Sequence, residues 1–243
     1  WVYAYVDFTL PTNFEYLQLV SGTTGQGNSY NNVIYGNSGA NVLYGHDGND
    51  YIYAYGGNDT LYGGNGNDEI YGADGNDTIY GQNGNDTVSG GTGADYMNAG
   101  DNDDVYFVDD VGDVVTETYN DALGGVDSVY SSVTHSLGNG IEHLYLQGAA
   151  AINGTGNGNA NQVIGNSAAN ALYGQAGIDT LNGGDSGTGI DSLYGGLDGD
   201  WYEINDAADL VFENPGEGTD WVNTTVSYTL AASPTISTLC LSS

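Results

Sequence analysis

The chain of 243 residues contains no lysine and no arginine, against 32 aspartates and glutamates and a formal charge of −32. That lack excludes whole classes of partner. Proteins hold nucleic acid by neutralising phosphates with basic side chains, and anionic lipid with basic clusters; neither mode is open here, and no membrane insertion is expected. Acidic groups must be neutralised by metal, protonated, or left in water. Every trypsin-type cleavage site is absent as well. Cysteine is nearly missing: Cys240 alone allows no internal disulfide. Strong helix formers are scarce, apolar spacings of three and four do not recur, and no apolar run approaches a membrane span. No secretory signal peptide is recognised at the start. No HExxH, GxSxG or paired-cysteine zinc motif occurs. The three histidines, His46, His135 and His143, read as a turn and two strand positions rather than a metal cluster. An acidic chain with so little basic character suggests disorder. However, 39% hydrophobic residues and 21 tyrosines, periodically placed, argue against it.

What is present is glycine, 41 residues of it, in a nine-residue period. Residues 45–104 contain GHDGNDYIY (45–53), AYGGNDTLY (54–62), GGNGNDEIY (63–71), GADGNDTIY (72–80), GQNGNDTVS (81–89) and GGTGADYMN (90–98). A short exact period dictates a solenoid. The first six residues read as a turn, with Gly supplying backbone angles that a Cβ forbids, and the last three as a short strand. The eighth position is always apolar: Leu43, Ile52, Leu61, Ile70, Ile79, Val88 and Met97. Alternation along a strand turns that residue inward. Two nonapeptides make one coil of 18 residues, with a strand on each side and a turn at each edge. The sixth positions then line up as Asp50, Asp68, Asp86 and Asp104 on one edge, and as Asn41, Asp59, Asp77 and Asp95 on the other. Coils stack roughly 4.8 Å apart, so neighbouring carboxylates repel by about 3 kcal/mol per pair at an effective dielectric of 20. Such rows require cations. Carboxylates with turn carbonyls form a flexible all-oxygen ligand set, which suits Ca²⁺ better than Zn²⁺ or Mg²⁺.

The nonapeptides match Gly-Gly-x-Gly-x-Asp-x-apolar-x, and the chain thereby resembles the repeats-in-toxin (hemolysin-type calcium-binding) family. The resemblance implies a parallel β-roll, an all-β fold, with several Ca²⁺ ions between turns 18 residues apart. Its ligands here would be the side chains of Asp50, Asp59, Asp68, Asp77, Asp86, Asp95, Asp104, Asp179, Asp191 and Asp200. Turn carbonyls would come from Gly45, Asp47, Asn49, Gly56, Asn58, Gly63, Asn65, Asn67, Gly72, Asp74, Asn76, Gly81, Asn83 and Asn85. It also implies bacterial export and an extracellular or cell-surface location. Extracellular calcium modules bind with Kd of roughly 10⁻⁴–10⁻³ M, too weak for the cytosol.

A longer repeat surrounds this block. WVYAYVDFTL (1–10), SVYSSVTHSL (128–137) and WVNTTVSYTL (221–230) resemble one another, and each leads into a strand-like apolar alternation. The organisation expected is a first repeat over 1–127 with the calcium roll at 36–104, a degenerate second repeat over 128–220, and the start of a third at 221–243. Nonapeptides 27–35, 36–44, 156–164 and 165–173 carry Asn32, Asn41, Asn161 and Asn170 where Asp is expected. These read as uncharged, metal-poor lead-ins, since Asn keeps turn geometry without charge. Residues 105–117 read as a strand-rich connector, and 210–213 follow the second block similarly. Three extra residues near Ser186, Gly187 and Thr188 change the edge spacing from 18 to 21, so fewer metal sites are expected in the second block.

Tyr44, Tyr62 and Tyr80 fall on one outer face, and Tyr53 and Tyr71 on the other. They are expected either to support neighbouring strands or to form an assembly face for other copies of the chain or for extracellular polysaccharide. Together these readings give a secreted, non-enzymatic calcium-binding β-roll with a structural role, self-assembling head to tail or laterally into a fibre, sheath or surface layer. A chain that starts and stops within the long repeat accords with that. The alternatives are a folding or secretion module of a larger secreted enzyme or toxin, and a glycan- or ice-binding adhesin module.

Overall fold

In the computed structural model the described residues are 1–117, 124–184 and 189–229, together with the backbone of strand Thr238–Leu241. Among them there is no helix, and all named strand pairs are parallel. The fold is an all-β solenoid. The chain divides into two compact units, Trp1–Ser128 and Val129–Ser243.

In the first unit the chain climbs by alternating between two parallel sheets. One contains Tyr16–Leu19, Val33–Asn37, Tyr51–Tyr55, Glu69–Asp74, Thr87–Thr92 and Val105–Val108 in order. The other contains Thr24–Gln26, Val42–Asp47, Thr60–Asn65, Thr78–Asn83, Tyr96–Asp101 and Val114–Val115. The register is 18 residues, so like positions stack on like. Ile34, Ile52, Ile70, Val88 and Tyr106 form one inward column. Leu43, Leu61, Ile79 and Met97 form the facing one. Every one of these side chains is fully buried. Burial of each aliphatic member is worth roughly 1.5–3 kcal/mol, and this double column is the centre of a core that also takes in Leu17, Leu19, Ala54, Ala99 and Val108.

The strands are longer than the sequence pattern implies. Thr60–Asn65 and Thr78–Asn83 each run through positions seven to nine and on into the first three residues of the next nonapeptide. Pairing lapses only at the first glycine and resumes at the next residue, as in His46↔Gly64 and Asp47↔Asn65. Parallel pairing uses the backbone and tolerates these glycines, so the turn proper is shorter than six residues. Each nonapeptide of the block at 45–98 contains two left-handed positions, one within the strand and one in the turn. Position two adopts φ of 84° at His46 and 81° at Ala73, and position four adopts 141° at Gly75.

The second unit repeats the plan. One sheet holds His143–Leu146, Gln162–Ile164, Thr180–Asn182, Trp201–Ile204 and Trp221–Thr224; the other holds Gly154–Thr155, Ala171–Ala176, Ser192–Leu197 and Leu210–Phe212. Val163, Leu181, Tyr202 and Val222 form its inward column. The start expected for a third long repeat supplies Trp221–Thr224 to this sheet; of its remainder, 230–237 and 242–243 lie outside the described residues.

The outer tyrosines sit in stacked columns. Tyr44, Tyr62 and Tyr80 lie face to face at 4.8 and 5.2 Å, with planes within 4° and 11° of parallel. Tyr53 and Tyr71 are more tilted, at 6.1 Å. All five are half-buried. Such contacts add roughly 0.5–1.5 kcal/mol beyond area burial, so the columns brace the coils that carry them.

Candidate metal centre

The carboxylates of position six are turned into the stack by the same alternation that turns position eight inward. Each is almost completely buried: Asp50 is 3% exposed and Asp68 1%. Each is also held by the coil before it. The Asp50 amide donates to Asp68 Oδ1 at 2.7 Å, Asp68 to Asp86 at 2.8 Å, and Asp86 to Asp104 at 2.7 Å. On the other edge Asp59 donates to Asp77 and Asp77 to Asp95, both at 2.7 Å. One oxygen of every carboxylate is thus fixed in a ladder of 18-residue steps.

The second oxygen has no such partner. Oδ2 of Asp50, Asp59, Asp68, Asp77, Asp86, Asp95 and Asp104 is buried and accepts no hydrogen bond. A buried carboxylate oxygen in that condition is costly. Burial accordingly pushes these groups up from the ordinary 3.8, against the opposing effect of the ladder hydrogen bonds. Asp50, Asp59, Asp68 and Asp95 reach about 7, Asp86 about 8 and Asp104 about 9, and Asp77 is raised likewise. Repulsion from the neighbouring aspartates adds to the rise at Asp50, Asp86 and Asp104.

The glycine at position one completes the cradle. A Cβ built on Gly63 would lie 2.3 Å from Asp68 Oδ2 and 2.8 Å from the Gly81 carbonyl oxygen; one on Gly45 would lie 2.2 Å from Asp50 Oδ2 and 2.5 Å from the Gly63 carbonyl oxygen. Carboxylate and main-chain oxygens therefore converge where only hydrogen fits. Among the carbonyl ligands expected from sequence, those of Gly63 and Gly81 stand at this convergence. The carbonyls of Asn65, Asn83 and Asp74 instead accept amides of Gly48, Gly66 and Gly57 in the preceding coil at 2.8–2.9 Å. Asn49, Asn58, Asn67 and Asn76 use their side-chain oxygens to accept amides one coil on, at 3.1–3.2 Å. The buried set is all oxygen and anionic, with open lone pairs, which fits a hard cation of calcium type.

The asparagine coils differ in the way the pattern suggests. Asn32 Oδ1 accepts the Asn28 amide at 2.6 Å, and Asn41 Oδ1 accepts Asn37 at 2.8 Å. Their amide groups donate to Phe14 and Gly22 carbonyls in the coil before. Asn161 and Asn170 repeat this with Asn157 and Asn166. An uncharged side chain with its own donors satisfies the turn without an ion.

Two features of the rows are not carried by the nonapeptide pattern. The insertion near Ser186 does not break the second block's ladder: Asn170 donates to Asp191 at 2.8 Å and Asp179 to Asp200 at 2.9 Å, both across 21 residues. Residues 185–188 of the insertion lie outside the described residues, but the carboxylates on either side keep their stacking. Oδ2 of Asp179 and Asp200 is buried without a partner, as in the first block. Secondly, the carboxylate rows extend past the recognisable nonapeptides. Asp95 donates to Asp113 at 3.0 Å, Asp104 to Asp127 at 2.8 Å, Asp191 to Asp209 at 3.1 Å and Asp200 to Asp220 at 3.1 Å. Each of these four stands in an Asp-x-Val triplet (DVV, DSV, DLV and DWV), the residue of the repeat's own Asp-x-apolar signature. Asp113 differs in function, because its Oδ2 already accepts the amides of Asp109 and Asp110 at 3.1 Å.

A buried ladder of half-satisfied carboxylates between parallel coils defines a metal-binding β-roll. The sequence profile of the RTX calcium-binding nonapeptide repeat (4 copies) matches residues 26–61, 53–88, 80–115 and 155–186, about half of the chain. The chain belongs to this family of calcium-binding repeats. No curated protein matches it.

Proposed function

We propose that this chain is a secreted, non-enzymatic calcium-dependent structural protein, whose roll folds on binding several Ca²⁺ ions and then associates with other copies of itself. The observation that carries the reading is the row of buried, partnerless Oδ2 atoms from Asp50 to Asp104. Without cations those groups oppose the fold; with cations the same groups tie successive coils together. Metal-binding free energy becomes folding free energy. Millimolar sites of this type fill outside the cell rather than in the cytosol, which supports export. The carboxylates are committed to the ladder, which favours a structural role over acid–base catalysis.

Association draws on the outer aromatic columns. The rings of Tyr44, Tyr62 and Tyr80 stack face to face and stay partly exposed, giving a continuous aromatic strip along the stack. Flat aromatic strips suit lateral contact with a second copy or with polysaccharide. Light scattering and electron microscopy in millimolar Ca²⁺ test this, with Tyr53, Tyr62, Tyr71 and Tyr80 replaced by serine. Ordered assemblies that disappear in the variant support the reading. Monodisperse monomers of the unaltered chain would refute assembly, and a β content indifferent to chelator would refute calcium-coupled folding.

A further inference from the structure

In each unit one inward column changes character where the nonapeptides end. Position eight of the last nonapeptide in each block is a tyrosine, Tyr106 and Tyr202, and both are completely buried. Each hydroxyl accepts the amide of position one of its own nonapeptide, Ala99 at 2.6 Å and Gly195 at 2.7 Å. Each donates to a glutamate eleven residues on, Glu117 and Glu213. Glu117 Oε2 also accepts the Gly100 amide at 3.2 Å. The tyrosine thus takes the place of a core aliphatic in order to aim a connector glutamate back into the end of the roll.

That glutamate meets two aspartates. Carboxylate oxygens of Asp104, Glu117 and Asp127 lie within 4.8 Å of one another, and so do those of Asp200, Glu213 and Asp220. The chain has no lysine or arginine to offset either triad. Oδ2 of Asp104 and of Asp200, both at least 99% buried, has no hydrogen-bond partner. The opposite edge of the first unit ends differently: Asp113 closes it with two backbone amides and leaves no oxygen waiting.

We propose that Asp104–Glu117–Asp127 and Asp200–Glu213–Asp220 are two terminal cation sites, each taking one hard divalent ion of calcium size, with Tyr106 and Tyr202 as the positioning residues. They are distinct from the sites between nonapeptides, because the third carboxylate comes from the connector and has no counterpart in the repeat. Three carboxylates give them more ligand charge than the repeat turns, and ligand charge raises calcium affinity. These sites therefore fill first, and each clamps the connector onto the last coil. The inference rests on the calcium reading of the roll for the identity of the ion, and not on assembly.

Equilibrium dialysis of the full chain against Ca²⁺ tests it, comparing the unaltered protein with Glu117→Gln/Glu213→Gln. The expected result is the loss of two ions per chain, both from the tightest class, with the remaining ions and the β content in millimolar Ca²⁺ retained. An unchanged ion count overturns the proposal and leaves the calcium roll standing. Should the variant fail to fold, crystals of the unaltered chain soaked in Tb³⁺ decide the matter. Anomalous peaks inside the two triads support the sites; peaks in the ladder with none in the triads overturn them. No bound ion anywhere in the unaltered chain would overturn both this inference and the calcium reading.

Discussion

Removing calcium should make the roll's stability depend on pH in the opposite sense to that of most proteins. Six aspartates in the first block are raised from 3.8 to between about 7 and about 9 in the metal-free fold, chiefly by burial. A rise of three units corresponds to about 4 kcal/mol per group, and about half of that after allowing for screening by water and salt. Six such groups oppose folding by roughly 12 kcal/mol, comparable with the entire stability of an ordinary domain, about 5–15 kcal/mol. The sign follows from linkage. The folded state binds protons more tightly than the unfolded one. The penalty is therefore absent below about pH 4, grows as pH rises through the interval to about 7–9, and is complete above it. Circular dichroism in excess chelator should show β structure near about pH 4 and its loss by about pH 9. In millimolar Ca²⁺ the trend should reverse, since the ligands must be deprotonated to bind. The roll would then be held at high pH and loosened as protons displace the ions. A β signal in chelator that stays constant across this range would refute the argument, because it would mean that the buried carboxylates are satisfied in some other way.

Other perturbations follow from the packing. Gly64→Ala places a Cβ 1.7 Å from the His46 carbonyl oxygen at φ +126°, so the coils must part; urea titration in Ca²⁺ should show a loss of more than about 3 kcal/mol. Ile70→Ala removes a fully buried member of the inward column and should cost about 2–5 kcal/mol in the same assay. Ala73→Gly should do the reverse. Ala73 sits at φ 81°, where a Cβ costs about 1–2 kcal/mol, and glycine returns about 0.5–1 of that to the unfolded chain. A net gain of up to about 1.5 kcal/mol is expected, and a lowered urea midpoint would count against the assigned backbone geometry.

The parts of the fold legible in the sequence are those that the nine-residue period repeats. Ile52, Ile70 and Val88 are apolar because a single column has to be filled, and Asp50, Asp68 and Asp86 recur because a single row of sites has to be built. Position six and position eight could be read without any structure. Strand length could not, since it depends on backbone pairing through glycines that carry no side-chain signal. The closing residues were obscured for another reason. Around Asp113, Asp127, Asp209 and Asp220 the nine-residue glycine pattern is broken, with Gly124 and Gly125, for example, before Asp127 and no glycine between Trp201 and Asp209, although the Asp-x-apolar triplet survives. Tyr106 and Tyr202 carry no signal of their own in the sequence, because their meaning depends on glutamates eleven residues away. The insertion in the second block changes the spacing along the chain from 18 to 21 residues, while the ladder bonds across it are kept.

The ladder of amide to Oδ1 bonds also has a direction. Each aspartate reaches back to the coil before it, so the coil of Asp50 is fastened by Asp68, and the coil of Asp68 by Asp86. A coil therefore carries the fastening for its predecessor and depends on its successor for its own. Loss of a coil from the C-terminal side frees a ladder amide, whereas loss from the N-terminal side frees a ladder Oδ1 and a strand amide, such as that of Glu69, which donates to the Asp50 carbonyl at 2.8 Å. The side-chain ladder is therefore polar along the stack, with its last acceptors, Asp127 and Asp220, at the C-terminal end of each block.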